Sequence, residues 1–217
     1  MVYTVSAWTL SSLTLVIFIL SILWCCRPYN PGYMKSLPIY FLGNILAEIA
    51  HWILPNYYPS SEPAIYLIFT IFELFYFSYF LTRLIESGTA RKWIWMLDLI
   101  FLICLIVLIV RTGIIFSAGM AVIMECIILI IPCLVYFKEV FSRLYVMELE
   151  REPSFWMVTG IVFYFFLLIP TIWFSGYYSH IGELGMARAL YSINNYAQII
   201  SYIIIIKAMT CAKKKLC

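Results

Sequence analysis

Apolar residues dominate seven stretches of the chain, at about 4–25, 37–54, 64–86, 93–111, 114–137, 155–175 and 186–207. A hydrocarbon core about 30 Å thick is crossed by roughly 20 helical residues, so each stretch is predicted to be a transmembrane helix. The fold class is all-α: a polytopic membrane protein of seven transmembrane helices, read as a single domain over residues 1–217.

The connections predicted between helices are short. "RPYNPGYMKS" and "PNYYPSSEP" are turn-rich, and "RTG" closes helices 4 and 5 into a tight hairpin. Only residues 138–152, "KEVFSRLYVMELERE", make a longer connection, in which Val140, Phe141, Leu144, Tyr145 and Leu149 recur at helical spacing. That pattern predicts a fifth helix continuing past the membrane with a charged face, or a partner-docking interfacial helix. Pro132 and Pro170 fall inside helices 5 and 6, where lipid-embedded helices tolerate kinks.

Composition sharpens this picture. The chain is 65% apolar and 12% charged, against about 25% charged residues in a soluble domain. Basic residues then orient it. With the N-terminus outside, twelve of the fourteen Lys and Arg residues fall on the inner side, from Arg27 and Lys35 to Lys213, Lys214 and Lys215, leaving only Arg111 and Arg188 outside. Inner loops rich in Lys and Arg set membrane orientation, so an outside N-terminus and a cytoplasmic C-terminus are expected, in a cell inner (plasma) membrane. Trp8, Trp52, Tyr57, Tyr58, Trp173, Tyr177 and Tyr178 mark the outer interface, and Trp24, Trp93 and Trp95 the inner one. The net charge of +3 is thereby topological, and no nucleic-acid partner is expected. The first helix has no basic segment before it and no small-residue cleavage site after it, so it reads as a retained anchor.

Polar residues inside the helices carry the candidate chemistry. Glu73 is the only residue able to carry a charge in "FTIFELFYFSYFL". A mid-membrane carboxylate costs about 2.5–3.5 kcal/mol on insertion scales, so it should face protein or water. Thr70, and Tyr66 beyond it, share its helix face. Helix 2 carries Asn44, Glu48 and His51 on one stripe, helix 5 carries Glu125, and helix 7 carries Tyr191, Asn194, Gln198 and Ser201. At a rise of about 1.5 Å per residue these groups reach one layer slightly outside the midplane. The predicted site is a ligand or proton cavity formed by Asn44, Glu48, His51, Tyr66, Thr70, Glu73, Glu125, Asn194, Gln198 and Ser201. Within it His51 is placed to share a proton with Glu48, whereas Asp98 reads as structural, paired with Arg91 or Lys92. Inter-helix hydrogen bonding is the competing reading for the amides.

No cofactor or metal is expected. None of the seven cysteines has metal-ligand spacing, there are two histidines, and neither HExxH nor GxSxG occurs.

The stretch "EPSFWMVTGIVFYF" at residues 152–165, "FELFYFSYFL" in helix 3 and the Asn-bearing helix 7 ending in "KKK" resemble an uncharacterised group of bacterial seven-helix membrane proteins. Members of that group are similar to the membrane-embedded sensory half of some histidine kinases. The resemblance implies a sensory or receptor-like role. With no output domain after helix 7, the expected signal passes to a separate cytoplasmic protein, and the acidic site favours a small cationic or polar ligand. A proton- or cation-coupled carrier or channel for small solutes is the alternative, because intramembrane acids mark such paths. An intramembrane enzyme acting on lipid is a third reading.

Overall fold

In a computed structural model the described residues, 2–26, 32–58, 60–142 and 149–214, form seven long helices and no strand. These are α1 (Val2–Cys25), α2 (Leu37–Tyr57), α3 (Glu62–Leu84), α4 (Gly88–Thr112), α5 (Ile114–Ser142), α6 (Pro153–His180) and α7 (Leu184–Lys214). Short 3₁₀ turns at Gly32–Ser36 and Leu149–Arg151 lead into α2 and α6. All seven helices are long and apolar enough to cross a membrane. The chain is a multi-pass membrane protein.

Helix ends follow caps and turns, and several helices outrun their apolar stretches. Proline stands in the first turn of α2, α3 and α6, where its missing N–H costs nothing. Ser87 caps α4, its hydroxyl accepting from the Ala90 N–H at 3.3 Å, so α4 starts five residues before its apolar run. Gly113, at φ 81°, allows the sharp reversal between α4 and α5. Helix α5 runs past its apolar stretch as far as Ser142 and takes in Val140 and Phe141. Residues 143–148, which include Leu144 and Tyr145, lie outside the described residues, and a 3₁₀ turn at Leu149–Arg151 precedes α6.

Six helices close a ring in the order α1, α2, α3, α5, α6, α7 and back to α1, with α6 and α7 the most extensively packed pair. Helix α4 lies outside this ring, against α5 and more lightly α3. Half of the α3 span is buried, which makes it the most enclosed segment. Large apolar residues face outward, among them Val110 at 79% and Ile115 at 80% exposure, as a surface in contact with lipid requires. Lys35, Arg83, Arg91, Lys138, Arg151 and Lys207 share one end of the bundle, and Arg111 and Arg188 stand at the other.

At the basic end the α3–α4 connection is held by α5. The Glu139 carboxylate accepts from the backbone N–H groups of Glu86 at 2.9 Å and Ser87 at 3.2 Å. The Lys207 ammonium sits 3.7 Å from the centre of the Trp156 ring, and the Trp156 indole donates to the Glu150 carbonyl at 2.9 Å, so α7, α6 and the preceding turn are joined there too.

Candidate functional site

Inside the ring, α3 delivers Glu73 with only 5% of its surface exposed. The Tyr40 hydroxyl, from the first turn of α2, donates to Glu73 Oε1 at 2.7 Å. Tyr40 is itself held among rings, stacked on Tyr76 at 5.0 Å and tilted against Phe77 at 4.9 Å. This aromatic collar fixes the hydroxyl and excludes water from the carboxyl group. Helix α5 brings Glu125, 1% exposed, within electrostatic range of Glu73. Its Oε1 is buried with no hydrogen-bond partner among the described residues. Ala118 and Ala121, small and buried on the same helix, let α5 approach closely.

Helix α7 closes the cluster. Gln198 Nε2 donates to the Tyr202 hydroxyl at 2.9 Å, and Thr14 of α1 is a second partner of Tyr202. Tyr202 and Tyr164 lie within electrostatic range of Glu73. Around these groups the interior is filled by Phe41, Leu74, Leu129 and Phe165, all fully buried. No Lys or Arg is buried among the described residues.

The other predicted site residues are distributed differently. Thr70 lies buried one turn before Glu73, and Asn44 is buried one turn after Tyr40 with its Nδ2 unpartnered. Glu48 is half-buried with Ser11 of α1 as its hydrogen-bond partner. His51 has a partner other than Glu48. It pairs instead with Glu62 at 3.7 Å across the α2–α3 turn, and its ring meets Tyr66 edge-on at 5.5 Å. Both side chains are substantially exposed, at 40% and 52%. Replacing Glu62 by Gln is therefore expected to change stability by less than about 1 kcal/mol, measured by unfolding in mixed micelles. Asn194 lines a narrow gap between α6 and α7 with Thr171, Ser175 and Tyr191, and its Oδ1 has no partner. Ser201 donates to the Gly160 carbonyl at 2.9 Å, a contact that binds α7 to α6.

Asp98 also departs from expectation. It is 1% exposed and accepts from Ser78 of α3 at 2.9 Å, whereas Arg91 donates to the Ile85 carbonyl at 2.8 Å. Packing of α4 on α3 turns this carboxyl group inward, away from the basic residues two turns earlier.

Tyr40, Tyr202, Ser11 and Thr14 were not among the predicted site residues. A signal existed for two of them. Tyr40 stands four residues before Asn44, and Tyr202 four residues after Gln198, so each extends a polar stripe by one turn. Among the described residues no three His, Cys, Asp or Glu side chains gather as metal ligands. Comparison of the chain with known protein families, curated proteins and solved structures finds no match.

Proposed function

We propose that the chain is a membrane sensor or receptor-like module of the inner (plasma) membrane, with its N-terminus outside and its C-terminus in the cytoplasm. The site around Glu73 and Glu125 registers a proton or a small cationic or polar ligand, and a separate cytoplasmic protein reads the result. The carrying observation is that two directly packed helices, α3 and α5, each bury a carboxyl group, near enough to interact electrostatically, with no buried Lys or Arg among the described residues. A single added positive charge decides whether such a pair repels or is tolerated, because Coulomb energies grow as the dielectric falls. Helices α3 and α5 carry the two groups and pack directly on each other, so a change in repulsion acts on their separation.

A route to the basic end supports the sensory reading. Glu139 of α5 clamps the backbone at Glu86 and Ser87, where α3 passes into α4. Movement between α3 and α5 would loosen or tighten that clamp, the kind of small helix shift that switching proteins amplify. The uneven distribution of basic residues supports the orientation, and the resemblance of residues 152–165 and helix α3 to bacterial sensory modules agrees with the role.

The test is hydrogen exchange at the Glu86 and Ser87 amides, corrected for intrinsic rates, in lipid nanodiscs across a range of pH and of added organic cations. Protection that switches in the native chain and not in Glu73→Gln is the expected result. A switch that persists in Glu73→Gln overturns it.

The carrier reading has one observation of its own. Glu48, half-buried, and the buried Glu73 both interact electrostatically with Tyr202, a stepwise arrangement that a proton or cation relay would use. Cation or proton flux into liposomes that disappears in Glu73→Gln would replace the sensory reading with this one.

A further inference from the structure

A groove of about 420 Å³ lies between α2 and α3. It is lined by Ser36, Ile39, Phe72, Phe75, Tyr76 and Tyr79. Its volume falls within the roughly 300–1,000 Å³ of small-ligand clefts. Most of the wall is aromatic or aliphatic, with Ile39 at 60% and Tyr79 at 41% exposure. The polar exception lies toward the basic end, where the Ser36 and Tyr76 hydroxyls meet at 3.3 Å.

Positive charge stands at that same end. Arg83 follows Tyr79 by one helical turn and donates from Nη2 to the Tyr79 hydroxyl at 3.1 Å, which brings the guanidinium to the mouth of the groove. A guanidinium has five N–H donors, so one bond to a phenol leaves donors for a further anionic partner. Lys35 immediately precedes Ser36 and is exposed. The long Arg and Lys side chains near helix ends reach toward the headgroup layer.

An apolar channel in the acyl region, a hydroxyl pair beside it and two cations at headgroup depth complement one kind of molecule. The geometry points to a bound anionic glycerophospholipid, with its phosphate against Arg83 and Lys35 and an acyl chain along Ile39, Phe72 and Phe75. Binding there requires only that the basic end of the bundle sit at headgroup depth, whichever way the chain faces. It does not depend on Glu73 or Glu125.

The experiment is native mass spectrometry of the full chain released from nanodiscs containing equal phosphatidylglycerol and phosphatidylcholine. The native chain is expected to retain one phosphatidylglycerol in preference to phosphatidylcholine. Arg83→Gln and Lys35→Gln should each lower that retention by about fivefold, the contribution of one basic residue near a membrane surface. Lys138→Gln, on α5 at the same end, should leave it unchanged. Ile39→Trp, which fills the groove while keeping both charges, should also abolish retention. Equal retention of the two lipids overturns the assignment, as does retention that survives Ile39→Trp or the loss of both Arg83 and Lys35.

Discussion

Replacement of Gly160 by Leu is expected to force α6 and α7 apart and to destabilise the bundle by about 3 kcal/mol, the upper part of the usual range for overpacking a closely fitted core. Even a single added Cβ at Gly160 would stand 3.3 Å from the Ser201 carbonyl oxygen and 3.4 Å from both Ile204 Cγ2 and Ser201 Oγ. Backbone lies on the far side of that contact, so no rotamer change relieves it. Helices α6 and α7 make the most extensive helix–helix contact among the described residues, and the Ser201 hydroxyl uses the close approach at Gly160 to reach its carbonyl. Reversible unfolding on addition of SDS to mixed micelles measures the loss. Ser201→Ala should cost far less, about 0.6 kcal/mol, the mean for side-chain hydrogen bonds between membrane helices. Equal stabilities for Gly160→Leu and the native chain would mean that α6 and α7 do not meet here.

Tyr40→Phe is the second large effect. Its hydroxyl is the hydrogen-bond donor at 2.7 Å to a carboxyl group that is 95% out of contact with solvent. Removal of that donor leaves Glu73 Oε1 without this partner in a dry interior, at an expected cost of about 1–3 kcal/mol. Phe keeps the ring and hence the stacking on Tyr76 and Phe77. The same substitution made in a Glu73→Leu background should cost little, because no buried acceptor is left unpaired. The double-mutant cycle should therefore give a coupling of about 0.5–3 kcal/mol. A coupling of zero would separate Tyr40 from Glu73 in the membrane and remove the collar from the proposed sensing site.

Much of the architecture is legible from the order of residues, for a reason specific to membranes. Every backbone polar group in hydrocarbon must be satisfied within its own segment, so seven apolar runs of sufficient length leave helix as the available structure. The ends were less legible. Ser87 starts α4 ahead of its apolar run, and α6 continues to His180, because caps and turns end helices whereas apolar length records only the depth of the hydrocarbon. Glu73 and Glu125 stand out in sequence because an acid in an apolar run demands an explanation. Their neighbours do not. Tyr40 and Tyr202 each extend a polar stripe by one turn, a signal too weak to separate them from the other aromatic residues of a membrane helix, and the facing of α2 toward α3 and of α7 toward α1 is what makes their hydroxyls part of a polar cluster.

By itself the amino-acid sequence determined the number of helices, their class and the residues that lipid would not tolerate. Tertiary structure alone decided how those residues pair. His51 meets Glu62 across a turn while Glu48 turns to Ser11, and Asp98 finds Ser78 instead of the nearer basic residues. Spacing along one helix specifies a face, whereas a hydrogen bond requires two faces brought within about 3 Å, and that distance is set by how helices far apart in sequence pack together.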